Sequence, residues 1–400
     1  MCASLQAMKL KIEIIDDIIQ LNENIHELNG CRAIFNGAFI TYSNTEYLIA
    51  RCNLLNKYDK GISEFKLISP TGIRTLHITD SIAFKTWNVG SVQNYLGPED
   101  PRVFEHQNEL YLYYSMSNPN RYYPMRSLEY IKIKDVLELT PHTRYNESQR
   151  TFLRPDIFGT TNYWVEKNWL FFSNTTSILA IYGLKPFIIG DVYKNDFTAL
   201  FQRDYDCLSN LENTHISSNA ITISSDNKIL NAFVFNEKIR ENDRNDKPQY
   251  KSYMGYFEAY APFRLLHIAP LQLNINSSSF IYIENISILN KNKLHANEND
   301  TLIFTGGVDD SSIFYKELKV KTLLNMNKTT CQIKYNEMDY FMLSSFKKPI
   351  TANATTVCTI ENSLKYQKDV WMTVSFVLTF VIIVIGYHKY RHVYRLYKRV

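Results

Sequence analysis

Gly97-Pro98-Glu99-Asp100-Pro101-Arg102 forms the heart of the stretch YLGPEDPRVFEHQNELYLYYS, residues 95–115. Two adjacent acids sit between prolines, and a guanidinium follows at once. Pro101 bars Asp100 from the right-handed helical region, and Pro98 stiffens the entry. The run ELYLYYS that comes next has the aromatic composition of a strand. The carboxylates of Glu99 and Asp100 are therefore expected in defined, opposite directions. One would face a shielded channel and the other would pair with a neighbour such as Arg102. A carboxyl group shielded from water titrates high and can serve as a general acid.

Outward from this stretch, the chain from Cys31 onward repeats one theme. Short apolar–aromatic runs such as AIFNGAFITYS, EYLIARCNLL, NWLFFS, KILNAFVF and FIYIENISIL alternate with turns rich in Asn, Asp, Gly and Ser. With 28 Tyr and 23 Phe, the composition suits strands. Many short strands over some 300 residues predict an all-β fold. Arg51, Glu99-Asp100, Glu166-Lys167, His215 and Gly306-Gly307 each fall beside a turn. The first four lie roughly 50 to 65 residues apart, about one four-stranded blade each. The expectation is a five-bladed β-propeller over residues 31–324, whose inner strands bring these scattered groups to one central channel.

The flanks read differently. Residues 1–30 are expected to form a helix or an extension, and residues 325–369 a polar stalk. Residues 370–387, VWMTVSFVLTFVIIVIGY, carry no charge and approach the roughly 20 residues that span a bilayer. The tail at 388–400 carries Lys389, Arg391, Arg395, Lys398 and Arg399, which by the positive-inside rule belongs in the cytoplasm. The expectation is a single C-terminal span with the body lumenal or extracellular. Sequons at Asn146, Asn174, Asn276, Asn285, Asn299, Asn327 and Asn353 all precede the span. The six cysteines show no CxxC and no zinc spacing. A Cys331–Cys358 pair would suit an oxidising lumen. Net charge is +4 and part of it sits in the tail, so nucleic acid is not an expected partner.

The quoted stretch is similar to the signature of the β-mannoside phosphorylases of glycoside hydrolase family 130. It also resembles related fungal β-mannosyltransferases and glycosyltransferase-like members with the same propeller. Their Gly-x-Glu-Asp-Pro-Arg motif precedes a strand in the same way. YLIARCN, with Arg51, resembles the family's first-blade arginine segment, and VEKNWLFFSNTTSILAIYGLKPF a blade of the glycosyltransferase-like members. YMGYFEAYAPFRLLHIAPLQL resembles a later blade, and FTGGVDDSSIFYKEL the last. The resemblance implies that Asp100 donates a proton toward the glycosidic oxygen, with Glu99 beside it. It implies that Arg51, Arg102, Lys167, His215, Asp309 and Asp310 bind sugar, phosphate or a nucleotide diphosphate. At Glu212–Ala220, ENTHISSNA stands where many members have a Gly-Gly-Thr-like turn, which weighs against phosphorolysis.

No metal is implied. A nucleotide-sugar donor or inorganic phosphate would be the co-substrate, and a carbohydrate the substrate. Because of the anchor, an inverting mannosyl transfer is the leading expectation. A β-mannoside phosphorylase or hydrolase, and a propeller that only binds glycan or protein, are the alternatives. Three further patterns are read as structural: Asp204-Tyr205-Asp206, which has the spacing of a metal–nucleotide-sugar site, Gly306-Gly307 as a β-turn, and Trp164 with Trp169 as buried blade residues.

Overall fold

A computed structural model describes residues 13–15, 18–20, 30–54, 63–76, 78, 97–117, 126–138, 151–153, 168–174, 176–193, 196–225, 228–239, 249–273, 281–309 and 311–334. Two short strands come first, β1 (Glu13–Ile15) and β2 (Ile18–Gln20). The first sheet follows as a meander of β3 (Cys31–Tyr42), β4 (Thr45–Leu54), β5 (Ser63–Ser69) and β6 (Gly72–Leu76). The second is β7 (Pro98–His106), β8 (Glu109–Ser117), β9 (Arg126–Lys132) and β10 (Thr151–Leu153). A short helix, α1 (Ile133–Glu138), joins its last two strands. The third is β11 (Leu170–Ser173), β12 (Ile178–Leu184), β13 (Phe187–Tyr193) and β14 (Asp196–Arg203).

The fourth sheet is larger. It holds β15 (Thr214–Ile216), β16 (Ile221–Ser225), β17 (Lys228–Ile239), β18 (Gln249–Glu258) and β19 (Leu265–Pro270), with β21 (His295–Asn297) and β24 (Thr329–Thr330) at its two edges. β15 and β16 pair with successive parts of β17, so together they act as one interrupted inner strand. The fifth sheet is β20 (Ile281–Ile288), β22 (Thr301–Val308) and β23 (Ser312–Lys319), after which α2 (Val320–Leu324) follows. Its outer edge is completed by β2 and then β1, with Ile18 opposite Phe314 and Ile19 opposite Ile313.

These sheets form a closed circuit. β3 touches β7, β7 touches β11, β12 touches β15, β17 touches β20, and β20 returns to β3. The arrangement is nearly all β and propeller-like. The inner strands are buried on both faces, and from Ile34 to Thr41 every residue of β3 is shielded. Strands enclosed in this way read as nearly continuous apolar runs rather than alternating ones. Two-residue turns join inner strand to second strand in the first two sheets. Ser43-Asn44 and Gln107-Asn108 both have positive φ at each residue, the conformation that fits the twist of a tight hairpin. Aromatic rings fill the seam between the second and third sheets: Phe171 lies 5.5 Å from Phe104 and 4.7 Å from Tyr113, and Trp169 lies 5.0 Å from Phe197. Trp169 is thus a buried blade residue; Trp164 lies outside the described residues.

Several details differ from the reading of the sequence. The segment expected as a helix or extension carries β1 and β2, which complete the fifth sheet. Residues just past Leu324 pack on the fourth sheet, through β24 and through a disulfide from Cys331 to Cys207. Cys331 is therefore not paired with Cys358. A second disulfide joins Cys31 to Cys52 across β3 and β4. Gly306 and Gly307 are not a turn. They lie inside β22, opposite Ile283 and Tyr282. No described helix is long and apolar enough to cross a membrane, and the expected span at residues 370–387 lies outside the described residues.

Candidate functional site

Three β-bulges at one level of the ring build the site. In β3, Phe35 pairs with Arg51 and Gly37 with Ala50, so Asn36 is the extra residue. In β7, Glu99 pairs with Ser115 and Arg102 with Tyr113, so Asp100 and Pro101 stand opposite Tyr114 alone. In β20, Ile283 pairs with Gly306 and Asn285 with Thr305, so Glu284 is the extra residue. A bulge breaks the strict alternation of side chains and re-aims one of them. Asn36 and Asp100 take left-handed conformations, with φ of 53° and 56°. Such backbone is uncommon outside glycine, though Asn and Asp tolerate it best.

Re-aiming changes the fate of the two acids. They do not point in opposite directions; both meet Arg51. Its Nη2 donates to Glu99 Oε1 at 2.6 Å, and its Nη1 lies 3.8 Å from Asp100 Oδ1. Asn36 Nδ2 donates to the same Asp100 oxygen at 3.2 Å. Arg102 does not bridge to an acid through a hydrogen bond. Its Nη1 donates to the carbonyl of Trp169 at 3.1 Å and its Nη2 to Asn168 Oδ1 at 3.4 Å. Tyr282 donates its hydroxyl to that Asn168 oxygen at 3.2 Å, and Tyr250 of β18 stacks edge-on to Tyr282 at 5.6 Å. Residues from all five sheets therefore converge.

Glycines make the convergence sterically feasible. A Cβ on Gly307 would lie 2.0 Å from Asn36 Oδ1, and one on Gly306 would lie 1.9 Å from the Tyr282 carbonyl. Gly97, at φ +103°, lets the chain pass the backbone of Ser63, whose hydroxyl donates to the Pro98 carbonyl at 2.8 Å.

Electrostatics set the acids apart. Glu284 is fully buried, and no hydrogen-bond donor among the described residues reaches either of its oxygens. Burial, and then the charge of Asp100 and contact with it, push the Glu284 carboxyl well above the usual range, against the pull of Arg102 and Arg51. Burial also pushes Tyr113 up to about 12 and raises Tyr282 further. Arg102 loses charge stability by burial, but Tyr113, Tyr282, Asp100 and Glu284 more than offset this and raise its pKa. Asp100 has the greatest exposure of the three carboxyl groups, at 9%, against 3% for Glu99 and 0% for Glu284.

Of the residues singled out in the sequence, Arg51, Glu99, Asp100 and Arg102 come together here. His215 lies half-buried in β15, opposite Asn236 in the fourth sheet. Asp309 follows β22, half-buried and at φ 52°. Lys167 and Asp310 lie outside the described residues. Asp206 Oδ1 accepts the backbone N–H groups of Cys207 and Gln332 at 2.6 and 2.7 Å, so this acid is spent holding the chain beside the disulfide. Asn36, Asn168, Tyr282 and Glu284 escaped the sequence reading. The Asn-Gly pair at 36–37 does signal positive φ inside a strand. Glu284 carried no signal, because a bulge in the FIYIENIS run leaves no mark in its composition.

A cleft of about 420 Å³ opens at the other ends of the inner strands, lined by Glu105, Asn108, Thr222, Tyr260 and His295 among others. It contains none of the clustered acids, and the buried titratable groups that favour chemistry are at the bulges.

Neither a protein-family model nor a curated protein sequence matches the chain. Solved structures do. A glycosyl hydrolase from Bacteroides ovatus matches 81% of this chain and 96% of its own, at 13% identity and a TM-score of 0.50. The β-1,2-mannobiose phosphorylase of Listeria innocua matches over 73% and 91%, at 12% identity and a TM-score of 0.46. MPT-4, a mannose phosphorylase from Leishmania mexicana, matches over 75% and 88%, at 13% identity and a TM-score of 0.42. The likeness to the Bacteroides protein is one of fold, and it extends over nearly all of that protein.

Proposed function

We propose that the protein cleaves β-mannosides with inversion, Asp100 protonating the departing glycosidic oxygen while inorganic phosphate attacks the anomeric carbon. The bond between C1 and the leaving oxygen breaks, a C1–phosphate bond forms, and mannose 1-phosphate is the product. One observation carries this reading. Among the three clustered carboxyl groups, Asp100 has the greatest exposure and the looser contact with Arg51, at 3.8 Å against the 2.6 Å that holds Glu99. An inverting hydrolase would need a second carboxylate several ångströms across the sugar to activate water. Among the described residues the buried acids Glu99, Asp100 and Glu284 gather at the same bulges, and we read this as favouring a nucleophile that needs no base. The resemblance of the Gly97–Arg102 motif to family 130 and the fold shared with a glycosyl hydrolase from Bacteroides ovatus agree with this class.

Nucleotide-sugar transfer, the leading expectation from sequence, rested on the membrane anchor and gains nothing from the site. Asp206 has a structural partner at each turn. The two disulfides support a lumenal or extracellular body, where such bonds persist.

The test is turnover of β-mannobiosides with and without phosphate, with GDP-mannose as a separate arm, in wild type and Asp100→Asn. Phosphate-dependent release of α-mannose 1-phosphate that vanishes in the variant is the expected result. Free mannose without phosphate would make the enzyme a hydrolase. Asp100-dependent consumption of GDP-mannose, with both mannoside arms silent, would overturn the reading in favour of transfer.

A further inference from the structure

Glu284 has no role in the scheme above, yet its burial is the most costly feature of the cluster. An isolated buried carboxylate is strongly disfavoured, and proteins keep such groups only by pairing or protonating them. The groups that face it are Asp100 and Arg102 from β7, Arg51 from β4, Tyr113 from β8 and Tyr282 from its own strand. Arg102 spends its two terminal nitrogens on Trp169 and Asn168, and Arg51 turns to Glu99 and Asp100. Neither guanidinium is hydrogen-bonded to Glu284, and no other described donor reaches it. Its polar neighbour is the Asp100 carboxyl. Two ionised carboxylates are acceptors alone, so this contact is bonded when one of them holds a proton.

We propose that Glu284 is a positioning residue that stays neutral through the reaction and donates its O–H to Asp100, steadying the carboxylate left behind once Asp100 has given up its proton. The step balances simply. The proton moves from Asp100 to the glycosidic oxygen, the negative charge remains on Asp100, and Glu284 keeps its own proton in the hydrogen bond. The Asn36 amide supports the same carboxylate from the neighbouring first sheet at 3.2 Å. A carboxylic acid kept neutral by its surroundings can serve as a donor at neutral pH. The bulge in β20 has a purpose on this account, because regular pairing would carry side chain 284 along the ordinary alternation of the strand.

This inference rests on the reading of Asp100 as the proton donor, so its test has an arm that needs no turnover. Infrared difference spectra of the full-length protein at pH 7.5 should show a protonated-carboxyl stretch. The Glu284 component of this band should be lost in Glu284→Gln and shifted in Asp100→Asn, which changes its hydrogen-bond partner. Absence of the band in wild type would overturn the proposal even if mannosides are cleaved. A band that ignores Asp100→Asn would do the same.

The kinetic arm compares Glu284→Leu and Glu284→Gln. Loss of one donor to a developing charge costs on the order of 10²-fold. Glu284→Leu should therefore lose about 10²-fold in kcat/KM, and Glu284→Gln, whose amide also donates, should recover most of that. On the alkaline side the glutamine variant should hold its activity to higher pH than wild type, since an amide cannot ionise. Equal losses in both variants, with wild-type-like pH profiles, would refute the positioning role. If no mannoside is cleaved by wild type, the function proposed above falls while the infrared bands still decide the state of Glu284.

Discussion

Replacing Glu284 by glutamine should change the pH dependence of stability in a way that follows from proton counting alone. An unfolded glutamate loses its proton near pH 4.3. In the fold, burial and Asp100 raise the Glu284 pKa well above this, so the native state retains the proton where the unfolded chain has lost it. With one more proton bound in the native state, unfolding free energy falls as pH rises, by about 1.4 kcal/mol per unit. The contribution is complete below the unfolded pKa and is eroded up to the folded one. Glutamine has no proton to lose, and every other titrating side chain is present in both proteins. The difference in stability, variant minus wild type, should therefore climb as pH rises from the unfolded pKa toward the folded one, across the window from pH 5.5 to 7.5. Urea melts of both proteins at half-unit intervals would measure it. A difference that stays flat across this window would mean that Glu284 is ionised in the fold, and the electrostatic account of the cluster would be refuted.

Other consequences are simpler. Asp100→Asn should lower kcat/KM for a β-mannobioside by about 10²- to 10⁴-fold, the usual worth of a general acid, with an unchanged circular dichroism spectrum. Gly307→Ala would drive a methyl group into the Asn36 amide and should cost about 1–3 kcal/mol in a denaturant melt, where no loss at all would contradict the packing of β22 on β3. Cys331→Ser opens the disulfide to Cys207, which closes 124 residues of chain, and should cost on the order of 5 kcal/mol by loop entropy. Expressed through a secretory route, Asn299 and Asn327 lie exposed and should accept glycans, detectable by a glycosidase mobility shift. Asn285 is fully buried, with its amide donating to the Phe39 carbonyl, and should not.

How far the sequence could be read depended on what each residue was asked to reveal. Alternation of aromatic runs and polar turns announced the sheets, because a strand's burial is written in its own residues. The Gly-Pro-Glu-Asp-Pro-Arg stretch announced a rigid site, because two prolines restrict the backbone locally. The direction of the two acids was not legible. It depends on a bulge opposite Tyr114, and on Arg51 arriving from a neighbouring sheet 48 positions away. Glu284 was hidden for the same reason: its burial and its approach to Asp100 come from pairing between elements far apart in the chain. The Gly306-Gly307 pair misled for a related reason. Two adjacent glycines suggest a turn, yet here their missing side chains make room for Asn36 and the Tyr282 carbonyl.

The fifth sheet joins strands from both ends of the described chain, since β2 at Ile18–Gln20 pairs with β23 at Ser312–Lys319. During synthesis, the early strand must wait for its partner. Some 300 residues at 5–20 per second take roughly 15 to 60 seconds, far longer than a hairpin needs to form. For that interval the nascent protein carries an unmatched edge at each end of an open arc, and edges of this kind recruit strands from other chains. The last blade is thus a clasp that fastens once translation has passed Lys319, and the cell's chaperones have a defined period in which to guard it.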